Sequence, residues 1–121
     1  MNPVSKKILV VDDEQAIAKA LQLKLTTAGF TVSLAFNGKQ ALDLMNIDKF
    51  DLILLDLLMP ELDGWSVLEQ IKGKGQRVII TSNLSQSEDI KRAQELGAVD
   101  FIVKSDFSLA DIVNKVSKAL Q

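Results

Sequence analysis

Five short apolar runs punctuate the chain, and each gives way to polar residues and then to an amphipathic segment. This alternation restricts the fold more than any other feature. Ile8-Leu9-Val10-Val11 is apolar throughout and rich in β-branched residues, as in a strand covered on both faces. It stops at Asp12-Asp13. From Glu14 to Ala28, apolar residues recur at Ile17, Leu21, Leu25 and Ala28, a helical spacing that Gly29 is placed to close. Thr31 to Ala35 reads as a second strand, and Asn37-Gly38 opens a helix through Ala41, Leu42 and Met45. Leu52 to Leu55 is a third strand, ended by Asp56. A helix follows from Gly64 to about Lys72, with Trp65, Leu68 and Ile71 on one side. Val78 to Ile80 is a fourth strand, ended by Thr81-Ser82-Asn83. Ser85 and Glu88 have the spacing of a capping box for a helix that runs to Leu96 and closes at Gly97. Val99 to Val103 is a fifth strand, ended by Lys104. Ser108 and Asp111 then cap a last helix carrying Leu109, Ile112, Val113 and Val116 on one stripe.

Strands that alternate with helices require crossover connections, and so parallel pairing with helices on both faces of one sheet. The expected fold class is therefore α/β, a doubly wound five-stranded parallel sheet with five helices. The length of 121 residues fits a single domain over 1–121, with no internal linker or repeat and no effector domain.

Composition removes many chemistries. The chain has no cysteine, histidine or tyrosine. Disulfides, thiolate zinc sites, histidine bases and serine–histidine triads are excluded. What remains is carboxylate, lysine, hydroxyl and backbone chemistry, with a hard metal ion if any. A net charge of −2 argues against a nucleic-acid surface. The segment from Met1 to Val11 holds only the short apolar run Ile8 to Val11, too little for a signal peptide, and no run approaches a membrane span. The expected location is the cytoplasm.

In an open parallel sheet, ligands bind outside the carboxyl ends of the strands. Strand one ends in Asp12, Asp13 and Glu14, strand three in Asp56, strand four in Thr81 and Ser82, and strand five in Lys104. A strand order with one beside three and five near four would gather these groups into one pocket. Each alone has a plain structural role: Asp12 or Asp13 as a helix cap, Asp56 as a turn residue before Met59-Pro60, Lys104 as a surface lysine. Their convergence on one edge is different. Two like charges about 4 Å apart repel by roughly 4 kcal/mol near a protein surface, so three clustered carboxylates call for a divalent cation. Oxygen ligands alone suit Mg²⁺, with Mn²⁺ or Ca²⁺ as substitutes.

The sequence resembles the receiver domains of two-component response regulators from Lys7 to about Leu120. The motifs are Val10-Val11-Asp12-Asp13, the run Asp56-Leu57-Leu58-Met59-Pro60-Glu61-Leu62-Asp63-Gly64, a hydroxyl at the end of strand four, Glu95-Leu96-Gly97-Ala98, and Phe101-Ile102-Val103-Lys104. The resemblance implies a flavodoxin-like three-layer α/β/α sandwich with strand order 2-1-3-4-5. It implies that Asp56 accepts a phosphoryl group from a sensor histidine kinase or a histidine phosphotransfer protein. Asp12, Asp13 and Asp56, with the Leu58 backbone carbonyl, would hold Mg²⁺, and Lys104 would pair with the phosphoryl group. Counting back from Gly97 and from Lys104 selects Ser82 over Thr81 as the switch hydroxyl, with Thr81 on the other face of the strand. Phe101 would be the switch aromatic. Phosphorylation would change the face built from helix four, strand five and helix five, for a downstream protein target or an effector domain. Such a protein is a switch rather than a turnover enzyme, with slow loss of its own phosphoryl group.

Three positions depart from the commonest family pattern. Ser105 follows Lys104 where a cis proline is usual, Phe101 replaces a frequent tyrosine, and Asn83 stands where a small residue is usual. Leu58, Asn83 and Leu84 would border the approach of water to the phosphoryl group. Gln15, Ala18, Lys19 and Gln22, with Phe107, are the expected docking surface for the phosphodonor, although Phe107 also fits a core role. Within the same reading, the chain is either a stand-alone receiver or a piece of a longer transcription regulator or hybrid kinase. A flavodoxin-like cofactor carrier is the remote alternative, opposed by Asp12-Asp13-Glu14 where a phosphate loop would lie. An aspartate-nucleophile hydrolase of the haloacid-dehalogenase kind would need a carboxylate at the position of Leu58.

Overall fold

The apolar runs pair side by side to form the sheet. A computed structural model describes residues 5–121; the first four positions of the expected 1–121 domain lie outside the described residues. The element order is β1 (Lys7–Val11), α1 (Gln15–Thr27), β2 (Thr31–Ala35), α2 (Gly38–Ile47), β3 (Leu52–Leu55), α3 (Gly64–Ile71), β4 (Val78–Ser82), α4 (Ser87–Glu95), β5 (Asp100–Val103), a 3₁₀ turn (Lys104–Asp106) and α5 (Leu109–Ala119). The strands form one sheet in the order β2-β1-β3-β4-β5, with every pair parallel.

Strand periodicity then sorts the side chains to two faces. Leu9, Val11, Ile53, Leu55 and Ile80 pack beneath Ala41 of α2, Val67 and Leu68 of α3, and Ala93 of α4. Ile8, Val10, Leu52, Leu54, Ile79 and Ile102 pack against Ala18, Leu21 and Leu25 of α1 and Ile112 and Val116 of α5. The three central strands are thus buried on both sides, which is why they read as unbroken apolar runs. The result is the expected three-layer, doubly wound sandwich.

Helix starts follow local chemistry. Asn37 Oδ1 accepts from the Gln40 amide at 2.8 Å while Gln40 Oε1 accepts from the Phe36 amide at 2.8 Å, so α2 is closed by a reciprocal pair. Asp63 caps α3 through the Ser66 amide at 3.0 Å. Ser108 and Asp111 form the expected capping box at α5. The expected Ser85–Glu88 box does not form. The first turn of α4 closes on the Gln86 carbonyl, which accepts from Asp89 and Ile90, so Ser85 stands one residue too early and α4 has no side-chain cap. Strand four is also longer than its apolar run, because Thr81 and Ser82 continue the ladder with Ile102 and Val103. Strand five starts one residue later than expected, at Asp100.

Two glycines bring helix starts against the chain that follows β3. The Gly64 amide donates to the Leu57 carbonyl and the Gly38 amide to the Leu62 carbonyl, both at 3.0 Å. A Cβ on Gly64 would lie 2.2 Å from the Asp56 carbonyl oxygen, and one on Gly38 would lie 2.3 Å from the Leu62 carbonyl oxygen. Both obstacles are backbone, which cannot swing aside. Gly64→Ala and Gly38→Ala are each expected to destabilise the fold by about 2 kcal/mol or more. An unaltered midpoint in urea unfolding would contradict these close approaches.

Candidate functional site

The parallel sheet collects the ends of β1, β3 and β5 on one edge. Asp12 and Asp56 are each one residue past a strand, yet still held by the ladder: the Asp12 amide donates to the Ala35 carbonyl at 3.0 Å and the Asp56 amide to the Val11 carbonyl at 2.9 Å. Both carboxylates are buried, at 1% and 4% exposure. Local amides take one oxygen of each. The Glu14 amide donates to Asp12 Oδ1 at 2.9 Å, and the Leu58 amide to Asp56 Oδ1 at 3.2 Å. The remaining oxygens face Lys104, whose Nζ lies 2.7 Å from Asp12 Oδ2 and 3.1 Å from Asp56 Oδ2. The contact with Asp56 is a hydrogen bond. The contact with Asp12 is a close ion pair, and the buried Oδ2 meets no other donor.

The balance of charge at this edge is unfavourable. Burial raises the Asp56 carboxyl above its ordinary pKa; Lys104 opposes the shift, and the charge of Asp12 adds to it. Burial alone would lower the Lys104 ammonium, but its contacts with Asp12 and Asp56 outweigh that and raise it. Lys104 therefore stays charged at neutral pH. One ammonium serves three aspartates, since a carboxylate oxygen from each of Asp12, Asp13 and Asp56 lies within 4.8 Å of the others. An all-oxygen donor set whose buried Asp12 oxygen is met by Lys104 alone fits a hard divalent cation such as Mg²⁺.

The other expected residues are placed as follows. Ser82 ends β4, fully buried, with its Oγ accepting from the Leu84 amide at 3.3 Å rather than bonded to Asp56. By strand alternation it shares a face with Ile80, and Thr81 shares the opposite face with Ile79. Phe101 is half-buried against the core beneath α2, α3 and α4. Leu58 is 53% exposed beside Asp56, Asn83 is exposed and Leu84 half-buried. No cis peptide occurs among the described residues, so the Lys104–Ser105 bond is trans.

The expected docking surface needs correction. Ala18 is fully buried on the core side of α1 and offers no contact. Gln22 donates to the Val32 carbonyl at 3.2 Å and is tied to β2. Phe107 packs into the core against α1 and α5, with Lys115 Nζ 5.4 Å from its ring centroid. Gln15 and Lys19 are exposed. One site residue carried no assigned role in the sequence: Glu14, whose Oε1 is 3.8 Å from Lys104 Nζ. Its signal was its place in the Asp12-Asp13-Glu14 run.

A family model for the response regulator receiver domain matches residues 8–117. The chain belongs to this family. It is 37% identical over 115 residues to a probable transcriptional regulator, ycf27, of Cyanidium caldarium, covering 94% of this chain and 46% of that protein. The receiver spans about half the length of the curated relatives it matches. Among solved structures, a Francisella response regulator receiver domain superposes with a TM-score of 0.89 at 33% identity, covering 96% of this chain and 97% of that one. A CheX–CheY–BeF3–Mg²⁺ complex from Borrelia burgdorferi matches with a TM-score of 0.86 at 30% identity, covering 96% and 90%. No described helix is long and apolar enough to cross a membrane.

The raised Asp56 pKa has a consequence for stability. A carboxyl with a raised folded pKa favours the fold when protonated, and that contribution is lost as pH rises through the folded value. Asp56→Asn in metal-free buffer is therefore expected to raise the melting temperature at pH 7. The gap between variant and parent should close as pH falls toward 4. A variant less stable than the parent at pH 7 would show that the Lys104 pair, not desolvation, dominates.

Proposed function

We propose that this receiver is a phosphorylation-dependent switch that takes a phosphoryl group onto Asp56 from a histidine kinase or a histidine phosphotransfer protein. The observation that carries the reading is the buried Asp56 carboxylate, 3.1 Å from the Lys104 ammonium and beside two further aspartates. One Asp56 oxygen attacks phosphorus as the phosphorus–nitrogen bond of the donor breaks; the imidazole leaves with that electron pair, and an acyl phosphate forms. The transition state is loose, so catalysis amounts to alignment and charge neutralisation. Asp12, Asp13 and Asp56, with the Leu58 backbone carbonyl, are the residues that would hold Mg²⁺. When bound, that ion offsets negative charge on the phosphoryl group. Support comes from the oxygen-only donor set and from the Mg²⁺ in the Borrelia complex.

Lys104 transfers its hydrogen bond from the Asp56 carboxylate to a phosphoryl oxygen. Ser82 gives up the Leu84 amide and donates to another. Its movement shifts the loop after β4, and Phe101 of the adjoining strand follows. Both residues act on the face built from α4, β5 and α5, which presents the output to a protein target or an effector domain. The change is a shift between two states, driven by contacts that only one of them offers the phosphoryl group. Acetyl phosphate with Mg²⁺ is expected to modify the parent protein once, at Asp56. Mass spectrometry should find no modification of Asp56→Asn, and normal labelling of that variant would rule out this assignment.

The acyl phosphate is long-lived in this reading. Hydrolysis needs a water aligned with phosphorus, and the side chains flanking that approach, Leu58 and Leu84, cannot orient one. Leu58→Asn combined with Leu84→Glu should quicken first-order decay of phospho-Asp56 in excess Mg²⁺. The expected gain is ~10-fold, or about 1.4 kcal/mol. A double variant that decays no faster than the parent would remove the shielding role of the two leucines.

A further inference from the structure

We propose that Arg92 is a latch that holds α4 in its resting position by clamping it to α3, and that opening this latch is part of the switch. The inference rests on the proposed function, because it assigns the regulation of that same site. The two helices are anchored very differently. α3 is capped by Asp63, presses Gly64 onto the backbone of Asp56 and Leu57, and buries Val67, Leu68 and Ile71. α4 has no side-chain cap and buries only Ala93.

Arg92 supplies what α4 lacks. Its guanidinium carbon lies 4.2 Å from the centroid of the Trp65 ring, and its Nη2 donates to Glu69 Oε1 at 3.3 Å. Trp65 and Glu69 are four residues apart on α3, so they offer one cation a ring face and a carboxylate on the same helical face. Arginine suits this seat because its planar group can stack and donate together, whereas an ammonium cannot. Trp65 adjoins Gly64, whose amide donates to the Leu57 carbonyl. Backbone adjustment at Asp56 therefore reaches α4 through Leu57, Gly64, Trp65 and Arg92. This route runs through α3 and is separate from the one through Ser82 and Phe101. The ion pair is half exposed on both sides, so the clamp is weak enough to open.

The experiment compares the parent with Arg92→Gln, Arg92→Lys and Glu69→Gln, using the whole chain. Calorimetric titration with beryllofluoride in excess Mg²⁺ reads the bias toward the switched state. Amide hydrogen exchange without either addition reads the hold on α4. Arg92→Gln is expected to bind beryllofluoride about 5-fold more tightly and to exchange faster at residues 87–95, with α3 unchanged. Arg92→Lys and Glu69→Gln should fall between it and the parent. Unchanged protection of α4 in Arg92→Gln, or equal or weaker beryllofluoride binding, would overturn the latch. A parent protein that does not bind beryllofluoride would instead overturn the proposed function, whatever the exchange result.

Discussion

One ammonium group, Lys104 Nζ, stands between the buried carboxylates of Asp12 and Asp56, and much of the architecture serves to keep it there. Charges removed from water must be paired, or the groups neutralise. Here the partners come from the ends of three strands distant in sequence. Parallel pairing brings these ends to the same edge, with β1 directly beside β3, and it requires the crossover helices that bury the sheet on both faces. The pairing is also incomplete. One cation cannot balance three aspartates, so the edge keeps a deficit of positive charge that a divalent ion would relieve. That deficit distinguishes the pocket from a structural ion pair, in which the charges would match.

Most of the fold was legible because parallel strands buried on both faces leave an unmistakable pattern. Leu52 to Leu55 and Thr31 to Ala35 are strands with the expected bounds, and Ser108 with Asp111 closes α5 as anticipated. The misreadings have physical causes. Thr81 and Ser82 belong to β4 because a strand is continued by backbone hydrogen bonds, which polar side chains do not interrupt. The Ser85–Glu88 spacing matched a capping box, but spacing does not fix which carbonyl closes the first turn. Ala18 faces the core, and helical spacing alone does not fix the rotation of α1 to within a residue. At the site, Asp12, Asp13, Asp56 and Lys104 could be read from the positions at which apolar runs end. The link from Arg92 to Trp65 could not, since the strand order puts α3 beside α4 but not the rotation that turns these two side chains toward each other.

Helices α3 and α4 are held very differently. α3 is built into the site, with a glycine that leaves no space between its first turn and the Asp56 backbone. α4 buries a single alanine against the sheet, packs against β5, and touches α3 through Arg92. A switch benefits from that contrast. In the proposed switch, a rigid element would register a small displacement at Asp56, and a loosely held one would convert it into a larger movement at the surface.

The chain contains one tryptophan and no tyrosine. Its single indole lies at the contact between α3 and α4, half-buried, with a guanidinium above the ring. The near-ultraviolet emission of the protein therefore originates almost entirely from the junction between α3 and α4. The molecule carries a built-in optical probe of that junction, and its fluorescence reports the spacing of two helices rather than an average over the fold.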